Sequence, residues 1–221
     1  MKVQKLVEII GSDFYTGVPD SQLKALCNYL MATYGIDPKH HIIAANEGNC
    51  TALAAGYHLA TGKVPVVYMQ NSGEGNIINP VASLLNDKVY AIPVVFIIGW
   101  RGEPGVKDEP QHVKQGKVTI SLFEALGIPT AVLPDEESAA LELMQKMVDL
   151  AKTESRPVAL IVRKGLFKEY KLQNNKPDIS DLKREVAIEM ILKALPNDAV
   201  VVSTTGMISR EVYETRERLG Q

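Results

Sequence analysis

Few side chains in this sequence sit where they could do chemistry, and Glu47 is the first of them. It is the only carboxylate between His40 and Gly62, in HHIIAANEGNCTALAAGYHLATG. An apolar run ends at Asn46, and small apolar residues then recur at helical spacing (Ala52, Ala55, Gly56, Leu59), which reads as strand, turn and helix. Asn46 is placed to cap that helix, so Glu47 falls in its first turn beside the positive end of the dipole. Two readings fit this local pattern. Glu47 complements the dipole, or its small neighbours Ala44, Ala45, Gly48, Asn49 and Cys50 keep water away and make it a proton donor.

Three other clusters carry candidate groups. In GVPDS, Pro19 ends a strand, and Asp20 and Ser21 follow. They either cap the next helix or face a ligand at the carboxyl end of a strand, and the two readings weigh equally. QNSGEGN, residues 70–76, follows a fully apolar run. Its glycines flank Glu74 and would let backbone amides approach a ligand, although tight turns use Gly and Asn for geometry alone. No GK[ST] follows, so it is not a P-loop. The segment GWRGEPGVKDEPQHVKQG, residues 99–116, holds the only tryptophan, Trp100, with Arg101, Asp108, Glu109, Gln111 and His112. A structureless stretch of more than ~15 residues is either functional or disordered. A Trp and a His between charges favour a mobile lid.

The elements that must position these groups alternate. Helical spacing over 2–10 leads to a strand at 13–18 and a helix through Leu23, Leu26, Leu30 and Met31. Apolar strands at 64–69 and 93–99 flank a helix over 77–85. A helix from Val118 to Leu126, strands at 128–133 and 158–162, and a long helix at 136–152 complete the set. Such alternation predicts a parallel sheet covered by helices on both faces. One domain is expected over 1–166, a polar linker over 167–181, and an incomplete second α/β unit over 182–221. The last consists of a helix, a strand at 199–203, the turn TTGM and a final helix, too little to bury its own core.

With 24 basic against 26 acidic residues and no basic patch, nucleic acid is not an expected partner. No run approaches the ~20 apolar residues of a membrane span, and the N-terminus turns polar too early for a signal peptide, so a cytoplasmic protein is expected. Cys27 and Cys50 are far apart and imply neither a disulfide framework nor a zinc site.

Taken in order, GVPDS, NEGNCTALAAGYHLATG, QNSGEGN and GWRGEPGVKDEPQH resemble the N-terminal half of the phosphonopyruvate decarboxylases. These are relatives of sulfopyruvate decarboxylase and of other thiamine-diphosphate-dependent 2-oxoacid decarboxylases. The resemblance implies a flavodoxin-like pyrimidine-binding domain, then the opening of a diphosphate-binding domain. It implies that Glu47 hydrogen-bonds the aminopyrimidine of thiamine diphosphate. It places Gln70, Asn71, Ser72, Gly73 and Asn76 against the pyrimidine, and Asp20 and Ser21 toward substrate. Gln111 and His112 would cover the site, His112 as a proton-transfer group. Arg101 or Lys107 would pair with the phosphonate, and Thr204, Thr205 and Gly206 would begin the diphosphate-facing wall.

The family's magnesium signature, GDG followed by NN, is absent, and Asn174-Asn175 is a decoy without the GDG. Mg2+ and diphosphate ligands are therefore expected outside this chain, and no metal ligand within it. A site shared between subunits implies a homodimer or higher homo-oligomer, and a chain inactive alone. Two other readings stand beside this one: the pyrimidine-binding subunit of a sulfopyruvate decarboxylase, and a non-catalytic α/β ligand-binding domain in which Glu47 only complements its helix. A dedicated subunit would end near the linker, which weighs against the first.

Overall fold

The continuous apolar runs become the middle of a sheet. In the computed structural model, which describes residues 1–172, 181–204 and 206–221, the strands of the first unit are β1 Tyr15–Gly17, β2 His41–Ile43, β3 Val66–Gln70, β4 Val95–Gly99, β5 Thr130–Val132 and β6 Val158–Val162. They form one sheet in the order β2-β1-β3-β4-β6-β5, and every neighbouring pair is parallel. The helices between them are α1 Val3–Ile10, α2 Lys24–Thr33, α3 Glu47–Thr61, α4 Glu74–Pro80, α5 Pro110–Ala125 and α6 Glu137–Glu154. The chain divides at Gln173 into this unit and a smaller one, Asn174–Gln221.

Because successive side chains of a strand point to opposite faces, each apolar run supplies two cores. Val66, Tyr68, Ile97 and Leu160 pack with Leu6, Leu26 and Val148 from α1, α2 and α6. Val67, Met69, Phe96 and Ile161 pack with Cys50, Ile77 and Phe123 from α3, α4 and α5. The expected parallel α/β sheet is therefore present. Its order keeps the flavodoxin-like 2-1-3-4 run, with β6 lying between β4 and β5. Winding reverses between β1 and β3, and outside the carboxyl ends of strands at such a point lies the crevice where open α/β sheets bind ligands.

Three elements of this first unit differ from expectation, each for a local reason. Helix α5 starts at Pro110, eight residues before Val118. Proline is well suited to a first helical position, and the lid thus shrinks to residues 100–109, with Gln111 and His112 on the first helical turn. Helix α2 starts at Lys24 without a side-chain cap. Asp20 Oδ2 instead accepts from Gln22 N at 3.1 Å, so Asp20 forms a turn ahead of the helix. Helix α4 starts at Glu74, after a 3-10 turn at Asn71–Gly73, and runs on as a π turn, Val81–Leu85.

The second unit holds α7 Arg184–Ala194 and α8 Met207–Leu219, joined by a bidentate Arg184–Glu211 pair and by Arg218–Glu189. The strand expected at 199–203 is not one: no ladder partner exists among the described residues, and Val200 and Val202 stand more than nine-tenths exposed. Asn174-Asn175 lies outside the described residues. Among those described, no helix is long and apolar enough to cross a membrane.

Candidate cofactor and substrate site

Asn46 caps α3 as its sequence predicts, its side chain accepting from Asn49 N at 2.9 Å. Glu47 therefore opens the helix, and it is buried, with 8% of its surface exposed. What crowds it is not the preceding alanines, which stay partly or fully exposed, but the turn after β3. A Cβ added to Gly73 would lie 2.3 Å from Glu47 Cδ, and Asn76 Nδ2 donates to Glu47 Oε2 at 2.7 Å. Gly48 lets the helices close up, since a Cβ there would meet Asn76 O at 2.9 Å. Glu47 Oε1 accepts no hydrogen bond among the described residues. One carboxyl oxygen is anchored and the other is free.

The crevice between β1 and β3 holds the next group. Asp20 is 6% exposed; its Oδ1 accepts from Gln70 Nε2 at 2.7 Å, and Ser72 Oγ donates to Gln70 Oε1 at 2.8 Å. A polar chain thus runs from the turn that backs Glu47 to the acid after β1. Gly99, at the end of β4, admits Asp20 closely: a Cβ would stand 2.2 Å from its Oδ2.

Asn71, expected against the pyrimidine, turns inward instead. Fully buried, it donates to Arg101 O and Thr119 Oγ1 and accepts from Arg101 N, so it clasps the 100–109 loop to α5. Arg101 makes a bidentate pair with Asp108, whose oxygens also take the backbone N–H groups of Gly102 and Glu109. These donors hold the Asp108 carboxyl well below the usual range, the guanidinium contributing most. Trp100 Nε1 donates to Gly116 O at 2.9 Å. Gln111 is exposed and His112 half-buried, and neither side chain forms a hydrogen bond among the described residues.

Glu74 is a carboxyl that the sequence reading passed over. It is 1% exposed, its Oε1 accepts from Gln115 Nε2, and its Oε2 has no partner. Burial pushes its pKa up to about 7. The hydroxyl of Thr119 lies 3.3 Å from Glu74 Oε1 and 2.9 Å from Gln115 O. That hydroxyl has one proton and two acceptors in reach, so it serves Glu74 Oε1 or Gln115 O but not both at once. The signal available in the sequence was a lone acid between glycines at the end of a buried strand.

Thr204 and Gly206 lie in the second unit, where the Gly206 carbonyl accepts from Ser209 Oγ at 2.8 Å; Thr205 lies outside the described residues. No cluster of three metal-ligating side chains occurs among the described residues.

Residues 3–126 match the model of the thiamine pyrophosphate enzyme N-terminal TPP binding domain. The phosphonopyruvate decarboxylase of Streptomyces hygroscopicus is 34% identical over 224 residues, 95% of this chain and 54% of that protein. The Streptomyces viridochromogenes enzyme is 33% identical, with 55% of its length covered. The chain thus spans about half the length of these relatives. It covers 91% of the sulfopyruvate decarboxylase subunit alpha of Methanococcus maripaludis, at 35% identity over 162 residues. In fold it is similar to an X-ray structure assigned to a thiamin diphosphate-dependent enzyme of Mycobacterium smegmatis, with a TM-score of 0.52 at 14% identity, over 86% of this chain and 36% of that one. An acid after the second strand, backed by a glycine turn, and a match over more than half the chain place it in one family: the chain belongs to the thiamine pyrophosphate enzymes and carries their N-terminal domain.

Proposed function

We propose that this chain is the pyrimidine-binding part of a thiamine-diphosphate-dependent decarboxylase that converts 3-phosphonopyruvate to phosphonoacetaldehyde and CO2. The observation that carries the reading is Glu47: buried, anchored through Oε2 by Asn76, with Oε1 free and a glycine where any other residue would collide with it. That arrangement fits a flat aminopyrimidine, which needs one acceptor of fixed position and no side chain in the way. Bound there, thiamine diphosphate supplies a nucleophilic carbon for the 2-oxo group and a sink for the electrons released with CO2.

The residues of this chain do the rest. Glu47 Oε1 holds or exchanges the proton of the ring nitrogen it meets, in a site from which Gly73 and Asn76 exclude water. Ser72, Gly73, Gln70 and Asn76 shape the seat, and Asn71 positions it from behind. Asp20, fixed by Gln70, and Ser21 face the substrate, and Gln111 and His112 offer polar groups from the start of α5. Thr204, Thr205 and Gly206 begin a wall for the diphosphate, while Mg2+ ligands come from residues outside this chain. On this reading the site is shared between copies, and the chain alone does not turn over.

The test is Glu47→Gln in the assembled enzyme. Decarboxylation falling by two or more orders of magnitude, with the fold intact by circular dichroism, supports the reading; unchanged turnover removes it and leaves a non-catalytic binding domain. A second reading, the alpha subunit of a sulfopyruvate decarboxylase, is favoured by the 91% of the Methanococcus maripaludis subunit that the chain covers. Turnover of 3-sulfopyruvate but not of 3-phosphonopyruvate would select it.

A further inference from the structure

Beside the Asp20 corner lies a cleft of about 400 Å³ whose rim carries Ser21, Lys24, Arg101 and Lys164. Its walls come from distant parts of the chain: the turn after β1, the loop after β4 and the turn after β6. They are tied together. Arg163 pairs with Glu103 at 2.7 Å, joining the turn of Lys164 to the loop of Arg101, and Gly165, at φ 84°, makes the reversal that only glycine takes readily. Phe167 and Tyr170 line the cleft and pack on the core below.

Two acids also line it, and both are engaged. Asp108 holds the Nε and Nη2 edge of Arg101, and Glu169 lies 3.8 Å from Lys171. The Nη1 edge of Arg101 is left over, with Ser21 Oγ at 3.4 Å as its one hydrogen-bond partner among the described residues. The ammonium groups of Lys24 and Lys164 form no hydrogen bond or ion pair among the described residues. Two uncommitted ammonium groups, the spare edge of an oriented guanidinium and a hydroxyl thus share one cleft. A tetrahedral oxyanion, with three oxygens to satisfy, matches this donor set, and a planar apolar group does not. Ser21 and Gln22, which line the cleft, directly follow Asp20, whose carboxyl takes Gln22 N and Gln70 Nε2.

The geometry points to this cleft as the seat of the phosphonate or sulfonate at the far end of the 2-oxoacid, with Lys164 and Arg101 as its specificity-determining residues. The assignment rests on the proposed decarboxylase reading and deepens it. It also differs from the sequence expectation at Lys107, which does not line the cleft. Arg101 serves through the edge that Asp108 leaves open.

The test uses binding, which needs no turnover. Phosphonoacetate, sulfoacetate and acetate are titrated into the 221-residue chain by calorimetry at low salt, with Lys164→Met, Lys24→Met and the outlying control Lys107→Met. Phosphonoacetate or sulfoacetate binding at least about tenfold tighter than acetate, weakened about fivefold or more by Lys164→Met and unchanged by Lys107→Met, supports the seat, and the tighter of the two identifies the anion. Binding no tighter than acetate, or insensitive to Lys164, overturns it. In the assembled enzyme the same variant is expected to raise KM for the phosphonate or sulfonate substrate with kcat within a few-fold. Lys164-dependent binding without any 2-oxoacid turnover by the assembled wild-type enzyme would sink the decarboxylase reading and leave an anion seat, and turnover by the assembled enzyme with Lys164-independent binding would sink the seat alone.

Discussion

Gly73 lies flush against the carboxyl of Glu47, with 2.3 Å separating the position of a Cβ from both Cδ and Oε1. Two elements distant in sequence, the start of α3 and the turn after β3, therefore fix one acid between them. In Gly73→Ala the acid must swing aside, and a displacement of about 1 Å can cost about a hundredfold in rate. The expected outcome is a loss of that order in kcat of the assembled enzyme, with a melting temperature near that of wild type. Activity within twofold of wild type would show that the position of Glu47 is not what matters.

Glu74 predicts a pH dependence of stability. Its folded pKa, about 7, lies above its ordinary value of 4.5. Its contribution to stability is therefore fully present below about pH 4.5 and is lost as pH rises through 7, an amount of roughly 3 kcal/mol. The groups that face it are neutral, Gln115 and Thr119 from α5. Glu47 stands across Gly73 and offers no positive charge. Urea midpoints followed by circular dichroism between pH 5 and 8 should fall in wild type and stay nearly level in Glu74→Gln. Parallel curves would show that Glu74 is ionised throughout.

Asp108 behaves oppositely. Its folded pKa is depressed, so its contribution is present above the ordinary carboxylate range and is lost as pH falls. Asp108→Asn should lower stability by about 1–3 kcal/mol at pH 7, and Arg101→Lys should not restore what a bidentate fork provides. Equal urea midpoints for wild type and Asp108→Asn would refute this.

Two helical glycines should respond with opposite signs. Alanine in place of an exposed helical glycine usually adds up to about 1 kcal/mol. Gly56 in α3 has open space around its missing Cβ, so Gly56→Ala should stabilise. A Cβ at Gly116 in α5 would stand within 2 Å of Gly102 O, so Gly116→Ala should destabilise despite its better helix propensity. Thermal melts of the two variants suffice, and a stabilised Gly116→Ala would contradict the close approach.

The strands were legible in the sequence because buried parallel strands are written as unbroken apolar runs, as in Val66 to Met69 and Val95 to Ile98. The Asn46 cap was legible because capping is a local reaction of one side chain with the backbone three residues on. The start of α5 was hidden by glycines and prolines that signal a loop, and Gly116 makes sense there only once Gly102 is seen against it. The inward turn of Asn71 and the raised pKa of Glu74 depend on partners 30 to 48 residues away or on burial, and the open edge of Arg101 depends on how the loop folds Asp108 back onto it. No local pattern encodes them. The missing strand at 199–203 shows the same limit from the other side: β-propensity without a neighbour to pair with makes no ladder.

The indole of Trp100 donates to the carbonyl of Gly116, on the helix whose first turn carries Gln111 and His112. It is the sole tryptophan of the chain. The molecule thus contains its own fluorophore, wired to the helix on which Gln111 and His112 stand. Any guest that draws that helix inward or lets it drift will register as a change in emission colour and quenching, and occupancy can be followed in real time without attaching a dye.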